Sequence, residues 1–328
     1  FNSELGKPNC LAGSSFYLGL DANEGNNIDF VATLLHEMGH GLGFQTFTNG
    51  ATGAQFAGYP SVWDHNLLDN TTNKLWVNMT NAERAASSLK PSGLSWTGAR
   101  VTAAVPSVLA ATAQLRVVGA GANAPGGDLY AVGQADFGPK LDNSPVTGQI
   151  AAVALQADSP GSACTPFNAA NAEAVRRKIA LVSRGTCGFT VKVKNAQDAG
   201  AIGVIVADNA PGAVTGLGGA DATITIPALR VTQADGAMIA AGLTKPNGNT
   251  AGTVAKVELS KTSLSGADAQ RRITMFTPNP YQPGSSVSHY NTTATRNQLM
   301  EPSISADLTH AVTAPTDLTF ELFKDIGW

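Results

Sequence analysis

Charge is scarce in this chain of 328 residues. Asp, Glu, Lys and Arg make up 14%, and 21 basic against 24 acidic side chains leave a net charge of −3. The sequence holds no Lys/Arg cluster, which argues against a nucleic-acid partner, since phosphates demand a basic face. No apolar run approaches the ~20 residues needed to cross a bilayer, so no membrane span is expected. Phe1 opens no charged-then-apolar leader. The chain reads as a processed product, with a cleaved N-terminal segment or propeptide as an expected upstream partner. Also missing are a G-x-S-x-G elbow, a Walker loop and a G-x-G-x-x-G after a strand, which removes the usual serine-hydrolase and nucleotide-binding readings. Cysteine is limited to 3 residues, one pair and one left over. Cys164 and Cys187 bracket a short segment and could bridge, whereas Cys10 lies far off.

What is present suits a globular protein of more than one core: 43% hydrophobic residues with 35 Gly over a length that exceeds one comfortable domain. N-x-S/T triplets at Asn70, Asn78 and Asn291, read as surface loops, would suit an exported protein, as would a cysteine pair. Secretion to the extracellular space is therefore the expected localisation.

The first periodic segment runs from Ile28 to Leu42, with Ile28, Val31, Leu34, Leu35, Met38 and Leu42 at helical spacing. Asn26 or Asn27 is expected to cap it, with Asp29 in its first turn. Within it, "HEMGH" puts His36 and His40 one turn apart on one face with Glu37 beside the first. Two such histidines offer two of the three protein ligands of a catalytic zinc site, and Glu37 stands where a general base takes a proton from an activated water. The position where a third histidine would follow, 46, is Thr46.

The chain contains 5 histidines, so the third ligand is sought among His65, His289 and His310, with carboxylates Asp64 and Glu83 competing. Glu83 is explained as the partner of Thr80 in a capping box opening the helix "TNAERAASSL". Asp64 and His65 sit in "SVWDHNLLD", which reads as a loop leading into a helix. His289 differs: it lies in the polar loop "SSVSHYNTTATRNQLMEP", with Met300 eleven residues on. His310 is expected to pack or hydrogen-bond near the site. "DANEGNNID", with Asp21, Asn23, Gly25 and Asp29, resembles a calcium loop only loosely and reads better as a turn and cap; a bound Ca2+ is weakly supported.

"HEMGHGLGF" followed much later by "SHYN" and "LMEP" resembles the metzincin zinc peptidases, in particular the leishmanolysin-like branch, where an insertion displaces the third histidine. The resemblance implies His36, His40 and His289 as ligands of one Zn2+, Glu37 as base, Gly43 as the bend after the helix, and Met300 as the methionine of a Met-turn. "KIALVSRGTCGFTVKVKNAQDAGAIGVIVADN" with "ITIPALRVTQADG" resembles the protease-associated (PA) domain, whose usual disulfide implies a Cys164–Cys187 bridge. The implied architecture is α+β: a catalytic domain formed by residues 1–108 and 265–328, interrupted by a β-rich α/β PA domain at 109–264. The implied function is a secreted zinc endopeptidase acting on protein or peptide substrates. Two rivals stand beside it. One is a non-catalytic binding protein that docks partners through the PA domain. The other is a zinc peptidase of another clan with Glu83 or Asp64 as third ligand.

Overall fold

The computed structural model describes all residues except 1–2, 22, 120–126, 157–158, 244–251 and 306. It is a mixed α/β structure that divides into two compact units, residues 1–111 with 262–328, and residues 112–261.

In the first unit, β1 (Phe16–Tyr17) pairs in parallel with β2 (Ile28–Asp29), and the chain turns straight into α1 (Phe30–Gly41). That pairing keeps residues 28 and 29 extended, so the helix starts later than its periodicity suggests. Asp29, rather than Asn26 or Asn27, is the cap: its carboxylate accepts from the Ala32 N–H at 3.0 Å. At the other end Gly43 has φ +108°, a left-handed conformation that glycine adopts without strain, and the helix stops there.

After α1 come α2 (Val62–His65), the antiparallel strands β3 (Leu67–Asp69), β4 (Lys74–Leu75) and β5 (Leu94–Trp96), then α3 (Asn81–Ser87) between β4 and β5. Thr80 and Glu83 close both arms of the expected capping box on α3. Next is α4 (Ala99–Val108). Its buried Val101, Val105 and Val108 have helical spacing, and Pro106 falls in its last turn, where it masks the pattern. The C-terminal α8 (Thr319–Ile326) shares a core with α4 and with the fully buried Trp63, Trp76, Trp96, Phe44 and Tyr290.

The second unit is built on an eight-stranded sheet among the described residues, in the order β7 (Asp128–Ala131), β6 (Ala111–Val118), β15 (Val254–Leu264), β9 (Val146–Ala152), β12 (Ile179–Ser183), β13 (Gly203–Ala207), β14 (Ala228–Val231) and β8 (Gly133–Gln134). A small antiparallel pair, β10 (Leu155–Gln156) and β11 (Ser159–Pro160), lies apart from it. The central run β9-β12-β13-β14 is parallel. Parallel strands are buried on both faces, which is why "IALVS" and "GVIVA" read as continuous apolar runs. Ala180, Val182, Val204 and Val206 join one core with α5 (Ala169–Val175) and α6 (Phe189–Asp198). Ile179, Leu181 and Ile205 join a second core with Ile239 of α7 (Gln233–Gly242). Cys164 and Cys187 form a disulfide in this unit.

One surface expectation is overturned. Asn291 is 6% exposed and its amide donates to the Ser92 hydroxyl at 2.9 Å, so its N-x-T triplet is folded into the core side of the loop. Among the described residues no helix is long and apolar enough to cross a membrane.

Candidate metal centre

The four-residue spacing on α1 puts the His36 and His40 rings one above the other, with Nε2 atoms 3.2 Å apart. His289, 249 residues beyond His40, brings its Nε2 to 3.1 Å from that of His40 and 3.3 Å from that of His36. Each ring's other nitrogen meets a backbone carbonyl at 2.8 Å: His36 Nδ1 that of Leu299, His40 Nδ1 that of Phe44, His289 Nδ1 that of Ser285. A carbonyl only accepts, so each Nδ1 carries the hydrogen and each neutral ring keeps a bare lone pair on Nε2.

Three lone pairs within this distance and no hydrogen between them repel one another unless a cation sits among them. The spacing fits zinc. With bonds of about 2.0–2.1 Å in tetrahedral geometry, two ligand nitrogens stand roughly 3.3–3.4 Å apart, close to the observed edges. Among the described residues three ligand atoms converge, and a set of three protein ligands would match the donor count of a catalytic rather than a structural zinc. Burial drives His289 down to about 4 and also lowers His36, so both are neutral near pH 7 and no proton need leave before a cation binds. Among the described residues, this triad is the group of three or more metal-ligating side chains that converges.

The rival ligands are engaged elsewhere. Asp64 is fully buried and accepts from the Thr48 hydroxyl at 2.8 Å and the Ser61 N–H at 2.9 Å, with the Thr46 hydroxyl at 3.5 Å. Thr46 thus faces a buried carboxylate where a third histidine was sought. Glu83 is held by Lys74 and by Thr80, which keep its carboxyl down near about 2. His65 is exposed at the end of α2. His310 pairs with the capping Asp29 at 2.7 Å, near α1 but apart from the triad. Of the residues read as a calcium loop, Asp21 takes the Tyr17 hydroxyl and Asp29 takes Ala32 and His310.

Glu37 is exposed and near enough for its charge to act on His36. Met300 is fully buried beneath α1: a Cβ at Gly39, the residue before His40, would lie 2.6 Å from the Met300 sulfur. Beside His40 opens a cleft of about 380 Å3 lined by Gln45, Thr46, Thr48, Tyr281, Gly284, Ser286 and Ser288, with no charged side chain on its wall. The sequence reading named neither this cleft nor the three carbonyls. Backbone carbonyls carry no side-chain signature, and the wall joins segments more than 200 residues apart.

Residues 146–239 match the family model described as the PA domain. Leucine aminopeptidase 2 of Arthroderma otae is 37% identical over 122 residues, 37% of this chain and 22% of that protein. The human ER degradation-enhancing alpha-mannosidase-like protein 3 is 39% identical over 84 residues, 26% of this chain and 8% of that protein. The chain thus spans about a fifth or less of the length of these relatives. Among solved structures, the aminopeptidase from Aneurinibacillus sp. strain AM-1 aligns with 68% of this chain and 46% of its own, at 20% identity and a TM-score of 0.33. The zinc aminopeptidase BSAP from Bacillus subtilis aligns with 49% of this chain and 36% of its own, at 21% identity and a TM-score of 0.31. The peptidases among these are named as aminopeptidases, whereas the motif resemblance implies an endopeptidase.

Proposed function

We propose that this chain is a zinc-dependent peptidase of metzincin-like build, in which His36, His40 and His289 hold the metal, Glu37 is the general base and Met300 is the Met-turn residue. The observation that carries the reading is the convergence of three carbonyl-anchored imidazoles on one point, with Glu37 on the same helix and an open cleft beside His40. His36, His40 and His289 would hold the ion, which would supply Lewis acidity toward a water and an amide carbonyl when bound. Glu37 takes the proton of the attacking water and delivers it to the departing amine nitrogen, so one carboxylate serves as base and then as acid. Its exposure gives it direct access to solvent water. The uncharged, hydroxyl-rich wall from Gln45 to Thr48 and from Tyr281 to Ser288 binds the peptide next to the reacting amide.

Endopeptidase action is the first reading, and the protein is proposed to be secreted. The aminopeptidase names among the relatives favour a second, removal of residues from a peptide's amino end. Casein hydrolysis by wild type and by Glu37→Ala, both supplied with zinc, tests the reading. We expect wild type to cut casein into internal fragments and the variant to lose about 100- to 10,000-fold in rate while keeping its zinc. Release of free amino acids alone, with leucine p-nitroanilide turned over, would favour the second reading. Equal activity in both proteins would remove Glu37 from the mechanism, and silence from both would favour the binding-protein rival.

A further inference from the structure

The geometry assigns Asp317 as the positioning residue of the metal centre, a carboxylate that holds the Leu299 carbonyl in place against His36 and so sets how tightly the triad binds its ion. This rests on the reading of the triad as a zinc site. Asp317 is 3% exposed. One of its oxygens, Oδ2, accepts the Leu299 N–H at 2.7 Å, and the other, Oδ1, accepts the Thr319 N–H at 2.7 Å. Leu299 is the residue whose carbonyl takes the His36 Nδ1 hydrogen at 2.8 Å. Asp317 therefore ties the segment just before Met300 to the start of α8, and the far end of that tie fixes the tautomer and tilt of one metal ligand.

A buried carboxylate is an expensive way to tie a loop, and burial does push its carboxyl up. Its two partners explain why a neutral side chain would not do. Both are backbone N–H donors, so both oxygens must accept, and an asparagine would turn its own NH2 group against one of them. Groups that orient a ligating imidazole commonly govern metal affinity about 10- to 100-fold. No motif flags Asp317, which follows a proline and threonine in a loop 281 residues beyond His36.

The test compares zinc affinity, by competition with a chromophoric chelator, and the visible spectrum of the Co2+-loaded protein. Asp317→Asn is expected to weaken zinc binding about 10- to 100-fold and to shift the cobalt bands, with Asp317→Glu in between. Asp325→Asn is the structural control. It removes a carboxylate that caps α4 through the Arg100 and Val101 N–H groups and takes the Trp96 indole N–H, away from the triad. That control should lower the urea midpoint and leave zinc affinity and cobalt bands as in wild type. A folded Asp317→Asn with wild-type affinity and spectrum overturns the positioning role. Should Asp317→Asn not fold, Asp317→Glu decides alone: wild-type affinity and bands overturn the role, and a shift in both supports it. Wild-type protein that binds zinc no better than His289→Ala would overturn the triad reading itself, and the positioning role with it.

Discussion

The two units solve the problem of holding a chain together in different ways. In residues 112–261 neighbouring apolar side chains alternate between two cores, Ile179 and Leu181 to one and Ala180 and Val182 to the other, and the sheet is specified strand by strand. In the unit carrying the triad, β1 to β5 are two or three residues long, and polar side chains do much of the joining. Arg84 is 4% exposed and donates to the carbonyls of Gly53 at 2.7 Å and Trp76 at 3.0 Å, and also to that of Met79. Asn291 reaches Ser92, and Thr48 reaches Asp64. A layered sheet tolerates variation because burial is shared among many contacts. A loop-built unit places groups from distant segments at one point, which is what a metal centre needs.

The largest effect that would sharpen this contrast comes from His289→Ala. Removing a third ligand should weaken zinc binding by more than the about 100-fold that loss of an orienting group costs, read by chelator competition, while the sheet unit's far-ultraviolet signal is retained. The converse change is replacement of Cys164 and Cys187 by serine. Closing a loop with a sequence separation of 23 contributes about 3 kcal/mol in the chain-entropy account. Denaturant unfolding should lose about that amount from the sheet unit, with zinc affinity unchanged. A change in both properties would mean the two units are not energetically separate.

A third effect is pH-dependent. Burial raises the Glu301 carboxyl from its usual 4.5 to about 8. The folded state holds this proton more tightly than the unfolded chain, so the stabilisation is complete below about pH 4.5 and is lost as pH rises through about 8. Glu301→Gln should therefore match wild type in urea midpoint at about pH 4 and exceed it at about pH 9. No gap between the two pH values would show that this carboxyl is ionised or solvated in the fold. The smallest effect is expected from Glu83→Gln, which loosens one capping box and an exposed ion pair. It should leave zinc content unaltered, and loss of zinc would restore Glu83 as a ligand.

How much was legible follows the same division. The runs around β12 and β13 and the helix between them announce themselves, because each residue's burial depends on its immediate neighbours. The "HEMGH" turn is legible for the same local reason. His289 was reachable through a short list of histidines and the motif resemblance, not through any local rule. Asp29 as cap, α4 behind Pro106, the hydroxyl-rich cleft and the burial of Asn291 were not legible. Each depends on a partner brought in by the fold: β1 beside Asp29, α8 against α4, Tyr281 opposite Thr46, Ser92 beneath Asn291.

The close approach of Gly39 to Met300 has an evolutionary consequence. With the sulfur 2.6 Å from where a Cβ would stand, a side chain at 39 and a methionine at 300 exclude one another in a packed interior. Sequences descended from a common ancestor with this chain should then show the two positions changing as a pair. Lineages that keep methionine would be confined to glycine on the helix, and those with a smaller residue at 300 would be free to carry alanine there. Their histories would be joined across a sequence separation of 261 by the width of one sulfur atom.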